Sequence, residues 1–320
     1  MKLIIQIPCY NEEETLAAVL GDLPRELPGI ECIEYLVIDD GCTDRTVEVA
    51  RANGAHHVLS LGRNQGLAVA FIEGLHRCVE LGADVIVNTD GDHQYQGKYV
   101  GDVIKPILSG QSDIVVGSRP IDSIEYFSWL KKKAQRAGSY VVRQLSGTDI
   151  PDVTSGFRAY SAGAALRLHV FNPYDYALET IIQAGHMQMK ISSVPIDVNP
   201  KTRKSRLFKS EFHYVGQSWP IILRSYVIYK PLRTFFYAAA APGLVGLVLC
   251  IRFLWHYFTG AGSGYVQSLI LAAVCLIVSF NLVVLGILAD LISTNRRLIH
   301  ESLFMGRRRM YRGGGNTPGN

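Results

Sequence analysis

The chain has 320 residues, of which 48% are hydrophobic and 19% are charged, and its formal net charge is +4. A hydrophobic fraction at the ordinary globular level excludes disorder of the whole chain, and the length allows one large domain or two modest ones. The six cysteines form no C-x-x-C pair and no zinc-type spacing, so a disulfide or zinc scaffold is not expected and a reducing compartment is the simplest interpretation.

Short β-rich runs alternate with helical stretches along the first 120 residues. Strands are predicted at Leu3–Ile7, Tyr35–Asp39, His57–Leu61, Val85–Thr89 and Ile114–Gly117. Helices are predicted at Glu12–Leu20, Asp44–Ala52, Gly66–Leu81 and Tyr99–Leu108. This alternation is typical of an α/β fold with a largely parallel sheet that is covered on both faces. Ligands of such sheets bind beyond the carboxyl ends of the strands.

The first two predicted strands end in polar residues. The first runs into Pro8-Cys9-Tyr10-Asn11-Glu12, a turn that presents an aromatic ring and a carboxylate. The second runs into Asp39-Asp40-Gly41, where two adjacent carboxylates are suited to hydrogen-bond a base or a ribose. Taken singly, each of these carboxylates is also typical of a turn or a helix cap.

The fourth predicted strand runs into Asp90-Gly91-Asp92-His93-Gln94. Two aspartates separated by one glycine can face one ion while the backbone approaches a phosphate. Hard oxygen ligands suit Mg²⁺ or Mn²⁺, which often bind one or two carboxylates together with substrate phosphates. His93 is expected to be structural, because Gln94 offers the harder ligand oxygen.

Further along the chain, charged residues follow the fifth predicted strand. Arg119 is suited to pair with a phosphate or with a group of the sugar, and Asp152–Arg158 groups an acid, hydroxyls, a glycine and an arginine. A plain turn is an alternative for that segment. Glu179 is expected on a helix, where it is compatible with simple solvation. Glu125–Leu145 is predicted to be an amphipathic helix, and residues 207–233 a helix at a membrane interface.

Two long apolar segments near the C-terminal end predict a membrane hairpin. Residues 234–258 are apolar except for Arg252, and residues 266–289 carry no charge. About 24 residues span about 36 Å as a helix, enough for a bilayer core. Arg252 lies near the far end of its segment, where it can reach the interface. A pair of buried helices in a globular core is the less favoured alternative.

The charge distribution predicts the orientation of this hairpin. Residues 201–233 hold eight Lys or Arg and one acid, residues 293–320 hold six Arg and one acid, and the segment between the spans, residues 256–265, holds no Lys or Arg. By the positive-inside rule, both termini and the N-terminal domain are expected in the cytoplasm. No signal peptide is recognised, because the apolar start is too short. Nucleic acid is not expected as a partner, because residues 1–200 are acidic.

In their order and spacing, these motifs resemble glycosyltransferase family 2, and within it the polyprenyl-phosphate glycosyltransferases of the dolichyl-phosphate mannose synthase and bactoprenol glucosyltransferase type. The resemblance covers residues 1–233, and the paired C-terminal spans match one subgroup. It implies a GT-A (Rossmann-like) catalytic domain, a nucleotide-sugar donor and inverting transfer to a polyprenyl phosphate in the bilayer. Four parts are expected: a GT-A domain (1–200), a basic juxtamembrane segment (201–233), the hairpin (234–292) and a basic tail (293–320).

The resemblance also assigns roles to individual residues. The nucleoside would be held by Pro8, Tyr10, Glu12 and one of Asp39 or Asp40. The divalent ion and the donor diphosphate would be held by Asp90, Gly91, Asp92 and Gln94, with Arg119 in contact with the donor and Asp152–Arg158 lining the reacting centre. The acceptor phosphate would be received by Lys201, Arg203, Lys204, Ser205 and Arg206. The residues expected to matter most for catalysis are Asp92, Arg119 and Asp152.

Four positions depart from the family pattern: Cys42, Ala68, Gly91 and His93 stand where Ser, Gly, Ala and Leu are usual. These departures leave the expected chemistry intact and weaken any inference about the sugar. A phosphate acceptor is already anionic at pH 7 and needs no general base. An acceptor hydroxyl would need one, for which Asp152 is the candidate.

Several other functions are weighed against this one. A processive polysaccharide synthase is disfavoured, because no tryptophan follows an arginine in a Gln-x-x-Arg-Trp motif. A nicotinamide oxidoreductase is disfavoured, because no G-x-G-x-x-G follows the first strand. Transfer to a glycolipid hydroxyl and a non-catalytic membrane adaptor remain alternatives. The sugar, the nucleotide, the lipid and a possible homo-oligomer are left open.

Overall fold

The computed structural model describes residues 1–120, 139, 143, 146–170, 176–200, 227, 230–259 and 265–313. Predictions that concern residues 125–138, 201–226, 260–264 and 314–320 lie outside the described residues. The chain divides into two compact units: Met1–Trp219 with Leu303–Asn320, and Pro220–Ser302. The four-part division expected from the sequence stays a prediction.

The first unit is built on one seven-stranded sheet. Its strands are β1 (Lys2–Cys9), β2 (Cys32–Asp39), β3 (His57–Ser60), β4 (Val85–Asn88), β5 (Ile114–Ser118), β6 (Arg158–Ser161) and β7 (Ile191–Pro195). Their order is β3-β2-β1-β4-β6-β5-β7. All neighbours pair in parallel except β6, which is antiparallel to β4 and β5. The mostly parallel α/β sheet predicted from the sequence is thereby confirmed.

Helices cover both faces of this sheet. They are α1 (Leu16–Asp22), α2 (Thr46–Ala52), α3 (Leu67–Glu80), α4 (Val100–Leu108), α5 (Ala162–Arg167) and α6 (Tyr176–His186). Successive side chains of β1 point to opposite faces. Leu3, Ile5 and Ile7 therefore join the core beneath α1 and α4, while Ile4 joins the core beneath α3. A strand buried on both faces explains the unbroken apolar run that predicted it.

Helix α1 begins four residues later than the sequence predicts. The backbone N–H of Glu12 donates to the side chain of Thr46, the first residue of α2, at 2.7 Å, and that of Glu13 donates to Asp44 Oδ2, on the loop after β2, at 3.2 Å. The segment after β1 is thus held against the neighbouring loop before the helix starts. This contact between two loops cannot be seen in the local helical pattern.

The strand order creates a crevice at the carboxyl ends of β1 and β4. From β1 the chain moves outward through β2 and β3, and it then returns to place β4 on the other side of β1. The direction of winding reverses between these two strands, which is where open α/β sheets bind their ligands. The segments Tyr10–Glu12 and Asp90–Gln94 both leave the sheet at this point.

The second unit contains two long apolar helices, α7 (Pro231–Phe258) and α8 (Val266–Gly313), of which α8 extends past the end of the unit. Within Pro231–Phe258 and Val266–Arg296, stretches of 18 residues have mean hydropathies of 2.0 and 2.8, and both helices are long and apolar enough to cross a membrane. Gly243 and Gly246 lie against Ser279 and Leu276, and the Ser279 hydroxyl donates to Ala239 O at 2.9 Å. Small residues at such an interface let two helices approach closely within a bilayer.

Candidate active site

Three loops meet at the crevice between β1 and β4. Asn11, with a positive φ of 57°, accepts a hydrogen bond at Oδ1 from Thr43 N at 2.8 Å. Thr15 Oγ1 lies 2.6 Å from Gly91 O and 3.1 Å from Glu12 Oε2. These contacts join the loop after β1 to the loops after β2 and β4. Three of the segments selected from the sequence are therefore brought together at one edge of the sheet.

The residues expected to hold a nucleoside differ in exposure. Tyr10 is 42% exposed, so its ring is accessible to a ligand, while Glu12 is partly exposed and Pro8 is buried at the end of β1. A methyl group at Gly91 would lie 3.1 Å from Glu12 Cγ and 3.2 Å from Cys9 Sγ. Gly91, one of the departures from the family pattern, thus permits close packing against the loop after β1.

Asp39 and Asp40 are both buried and both hold neighbouring loops. Asp39 accepts hydrogen bonds from Cys42 N and Ser60 Oγ, each at 2.7 Å. Burial would raise the pKa of Asp39, but the bonds from Cys42 and Ser60 lower it below its ordinary value. Asp40 accepts from Gln65 N at 2.7 Å and Gly66 N at 3.0 Å. The Asp40 carboxylate therefore fixes the start of α3.

The Asp90–Asp92 loop carries a concentration of negative charge. Burial raises the pKa of Asp90 to about 7, and the charges of Asp92 and Glu12 act in the same direction. Asp92 Oδ1 also accepts a hydrogen bond from Gln94 N at 3.2 Å, which shapes the turn. A desolvated carboxylate beside a second one is stabilised by a cation, because like charges in this environment cannot both ionise freely.

The donor set fits a divalent cation of the Mg²⁺ or Mn²⁺ class. In the part of the chain that the structure describes, no three His, Cys, Asp or Glu side chains are grouped as a complete metal site. Magnesium commonly binds through one or two carboxylates and completes its shell with substrate phosphates and water. The predicted ligands Asp90, Asp92 and Gln94 lie in one loop, and water together with the phosphate oxygens of a substrate would complete the shell of a cation held there.

Arg119 and Asp152 form a buried ion pair. Arg119 Nε lies 2.6 Å from Asp152 Oδ2, and Nη2 lies 3.1 Å from Oδ1 and 2.8 Å from Thr154 Oγ1. The Asp152 side chain is fully buried, and that of Arg119 is 13% exposed. Burial would raise the pKa of Asp152, but the charge and hydrogen bonds of Arg119 lower it. Asp152 is therefore a weak proton acceptor.

Beneath the loop lies a buried polar network that the sequence did not reveal. Asn88 Nδ2 donates to Gly156 O at 2.8 Å and to Tyr176 Oη at 3.1 Å, and Asn88 Oδ1 accepts from Gln6 Nε2 at 2.8 Å. Tyr95 Oη accepts from Gly156 N at 3.0 Å. The network connects the end of β4 with the segment that precedes β6.

Arg158 has a structural role within the segment expected to line the reacting centre. Its guanidinium is fully buried and donates to Ser155 O, Val153 O and Ala177 O at 2.8, 2.8 and 3.0 Å. Those bonds fix the chain between Asp152 and β6. Within this segment, Asp152 and Thr154 are hydrogen-bonded to Arg119, and Gly156 lies against the Asp90 carboxylate.

The chain after β7 returns to the Asp90–Asp92 loop. Asn199 N donates to Gln94 O at 2.8 Å, Asn199 Nδ2 donates to His93 O at 3.0 Å, and Gln96 Nε2 donates to Asn199 Oδ1 at 2.9 Å. Tyr95 and Val198 form an isolated antiparallel bridge. The predicted acceptor residues Lys201 to Arg206 begin two positions later and lie outside the described residues.

The decisive comparison is with a protein-family model. The model described as Glycosyl transferase family 2 matches residues 4–168, which is just over half of the chain.

The chain belongs to glycosyltransferase family 2.

Two similar proteins are named for polyprenyl-phosphate acceptors and for different sugars. This family 2 member is 30% identical over 206 residues to the undecaprenyl-phosphate mannosyltransferase of Micrococcus luteus, a match covering 61% of this chain and 83% of the relative. It is 30% identical over 211 residues to the UDP-N-acetylglucosamine–dolichyl-phosphate N-acetylglucosaminyltransferase of Methanococcus voltae, covering 59% of this chain and 82% of the relative.

A solved structure confirms the fold. The glucosyl-3-phosphoglycerate synthase of Mycobacterium tuberculosis, in complex with Mn²⁺, UDP and glucosyl-3-phosphoglycerate, superposes with a TM-score of 0.55 at 18% identity. The match covers 71% of this chain and 78% of that structure. Together with the mostly parallel sheet, this likeness confirms the GT-A fold expected from the sequence. The two apolar helices expected near the C-terminal end are also present, and they are long and apolar enough to span a membrane.

Two residues of the buried polar network carry a signal in the sequence that could have identified them. Gln6 and Asn88 are polar residues inside otherwise apolar strands, and a buried polar side chain in a central strand requires a partner. Tyr95 and Gly156 carry no such signal. Their roles depend on the antiparallel strand β6, which has only four residues and was not predicted.

Proposed function

We propose that this family 2 glycosyltransferase transfers a hexose, with inversion, from a nucleotide-sugar to a membrane polyprenyl phosphate. The observation that carries the proposal is that an acidic loop, Asp90–Asp92, and Arg119 lie together at the crevice. The carboxylate of Asp152 is already bound to Arg119. Such a site can stabilise a departing diphosphate but offers no free base at Asp152. Relatives named for undecaprenyl-phosphate and dolichyl-phosphate acceptors support this assignment.

The donor is proposed to bind across the crevice. The exposed Tyr10 ring and Glu12 would contact the nucleoside, with Asp39 and Asp40 shaping the floor behind them. Asp90, Asp92 and Gln94 would hold Mg²⁺ or Mn²⁺. A bound divalent ion neutralises charge on a diphosphate leaving group. Because the relatives are named for different sugars, the donor class is GDP-mannose, UDP-glucose or UDP-N-acetylglucosamine.

The reaction requires no protein base when the acceptor is a phosphate monoester. Its second pKa is near 6, so an oxygen of the acceptor is already anionic at pH 7. That oxygen forms the new bond to the anomeric carbon as the bond to the diphosphate breaks, and the electron pair leaves with the diphosphate. The protein contributes orientation and charge stabilisation, and Arg119 supplies positive charge near the breaking bond.

The state of Asp152 favours this acceptor over a glycolipid hydroxyl. A general base for a hydroxyl must accept a proton near neutral pH. Asp152 instead forms a bidentate pair with Arg119 and also accepts a hydrogen bond from Thr154 Oγ1 at 2.9 Å. Its lowered pKa makes proton uptake unfavourable.

The acceptor phosphate is proposed to bind at Lys201, Arg203, Lys204, Ser205 and Arg206. Asn199 is hydrogen-bonded to the Asp90–Gln94 loop. Since consecutive Cα atoms are about 3.8 Å apart, the basic run must begin within about 8 Å of Asn199 along the chain. Several cations in sequence suit a phosphate that is carried on a membrane lipid.

The two apolar helices are proposed to span the membrane, with the catalytic domain and both termini in the cytoplasm. The excess of Lys and Arg in residues 201–233 and 293–320 supports this orientation. Alkaline phosphatase fused within residues 260–264 should be active in a bacterial host, and the same reporter at the C-terminus should be inactive. The reverse pattern would contradict the orientation.

A donor panel tests the proposed activity. The full chain in detergent, with Mn²⁺ or Mg²⁺ and a polyprenyl phosphate, would be incubated with radiolabelled GDP-mannose, UDP-glucose or UDP-N-acetylglucosamine. We expect one donor to transfer label to the organic phase, and Asp92→Asn to abolish this product. Donor hydrolysis without any lipid product would contradict the acceptor and favour a hydroxyl. Absence of both product and hydrolysis would favour the non-catalytic adaptor.

A further inference from the structure

Gly156 lies directly against the carboxylate of Asp90. In the β4–β6 ladder, Asn88 is opposite Arg158, and continuing that antiparallel register by two residues places Asp90 opposite Gly156. A methyl group on Gly156 would lie 2.8 and 2.9 Å from the two carboxylate oxygens of Asp90, and 3.0 Å from the Tyr176 hydroxyl. These separations are shorter than van der Waals contact, so a side chain there would force a neighbour to move.

The requirement for glycine at this position is spatial. The backbone of Gly156 is outside the left-handed region, unlike that of Gly41 or Gly66. An alanine could therefore adopt the same backbone angles. A methyl group there would meet the Asp90 carboxylate, which would have to shift, so the absence of a Cβ at Gly156 leaves the space that this carboxylate occupies.

Two side chains hold Gly156 from opposite sides. Asn88 Nδ2 donates to its carbonyl at 2.8 Å, and Tyr95 Oη accepts from its N–H at 3.0 Å. Both partners are buried, and both belong to the stretch of chain that carries Asp90. Asn88 is also fixed by Gln6, and the Tyr95 ring stacks on Phe157 with centroids 5.3 Å apart. The position of Gly156 is therefore determined by residues on either side of Asp90.

We infer that Gly156 is a positioning residue for Asp90, and that Asn88 and Tyr95 clamp it so that the Asp90 carboxylate faces the cation and diphosphate of the donor. This inference rests on the proposed function, because it concerns the residues that would hold the divalent ion. It extends that function by assigning control of cation affinity to three residues that would not themselves contact the ion.

Binding of Mn²⁺ alone tests the inference without any turnover. Free Mn²⁺ would be measured by electron paramagnetic resonance during titration of the detergent-solubilised full chain. Substitutions of residues that orient metal ligands typically cost 10–100-fold in affinity. We expect Gly156→Ala to weaken Mn²⁺ binding by at least about 10-fold on this basis. Gly163→Ala is the matched control, because a methyl group at Gly163 approaches only Ser161 Oγ, at 3.9 Å.

Two further variants keep the result interpretable. Tyr95→Phe removes the hydroxyl that accepts from Gly156 N–H and is also hydrogen-bonded to Ser155. We expect a smaller loss of Mn²⁺ affinity with an unchanged circular dichroism spectrum. Adding Tyr176→Phe to Gly156→Ala relieves the contact with the hydroxyl but not those with Asp90. We therefore expect no rescue of Mn²⁺ affinity in the double variant.

The outcomes separate the inference from the proposed function. Wild-type binding together with unchanged affinity in folded Gly156→Ala and Tyr95→Phe would overturn the inference and leave the proposed function standing. Full rescue by Tyr176→Phe would overturn it as well, since the critical contact would then be with Tyr176. If the wild type itself bound no Mn²⁺, the proposed cation would fail, and the inference would fail with it.

Discussion

Asp92 and Glu179 are both acidic residues of the first unit, but they occupy different surroundings. Asp92 lies in the loop at the crevice and acts electrostatically on Asp90. Glu179 lies on α6, partly exposed, in a helix whose other side faces the core. Charge at the first position contributes directly to the candidate site.

We predict that Asp92→Asn abolishes transfer, because it would remove a negative charge from the ligands of the proposed cation while keeping the shape of the side chain. Loss of one electrostatic contact to a transition state costs about 10²–10³-fold in rate. Glu179→Gln should cause a milder loss. Initial rates of lipid-product formation measure both, and equal losses would contradict the ranking.

The Arg119–Asp152 ion pair is expected to stabilise the fold. Asp152→Asn leaves a largely buried guanidinium without its carboxylate, and breaking a buried pair in this way costs about 3–5 kcal/mol. We expect a lower thermal midpoint for this variant at pH 7. An unchanged midpoint would show that the pair does not stabilise the fold.

The same pair predicts a dependence on pH. The pKa of Asp152 is lowered in the folded protein, so its stabilising effect is present above the unfolded-state pKa and disappears as pH falls through the folded-state pKa. The difference in thermal midpoint between wild type and Asp152→Asn should therefore shrink below about pH 4. A difference that grows in acid would contradict the assignment.

At the scale of secondary-structure elements, the packing of α3 on the sheet depends on Gly74. A methyl group there would collide with Gln6 Oε1 and lie 2.8 Å from Ile38 Cδ1. Alanine in a helix interior is normally more favourable than glycine by about 1 kcal/mol. At Gly74 the collision should instead make the alanine variant less stable than the wild type, because overpacking a core typically costs about 1–3 kcal/mol.

Gly21 provides the matched control for this prediction. It lies on α1, is exposed, and a methyl group there would approach no atom within 4 Å. We expect Gly21→Ala to raise the thermal midpoint slightly and Gly74→Ala to lower it. If both variants raised the midpoint, α3 would not pack as closely on β1 as the structure shows.

Local sequence patterns were sufficient for the elements that are locally encoded. The five apolar runs from Leu3 to Gly117 gave strands within about two residues of their observed ends, except for the three extra residues at the start of β2. Strand β6 was missed because it has four residues and owes its place to pairing with β4 and β5. The roles of Gly156 and Tyr95 follow from that pairing, so no local pattern could indicate them.

The candidate site was predictable to the same degree. Asp90 and Asp92 could be recognised because carboxylates that directly follow an apolar strand must lie at the sheet edge. The ion pair between Asp152 and Arg119 could not be recognised, because it joins residues 33 positions apart through a contact between loops. That contact changes the interpretation of Asp152 from a candidate base to the partner of an arginine.

At the scale of the whole molecule, the acidic site, the basic run after Asn199 and the apolar hairpin follow one another along the chain. This order suits an enzyme that takes a soluble, anionic donor and a membrane-bound, anionic acceptor. The proposed mechanism requires above all that the acceptor is a phosphate, since a phosphate removes the need for a general base.

The most direct test compares two acceptors that differ only in that group. The full chain would be assayed in detergent, with Mn²⁺ and the active donor, against a polyprenyl phosphate and the polyprenol of the same chain length. We expect that labelled lipid forms from the phosphate and not from the alcohol, as the proposed mechanism requires. Transfer to the polyprenol at an equal or greater rate would contradict it.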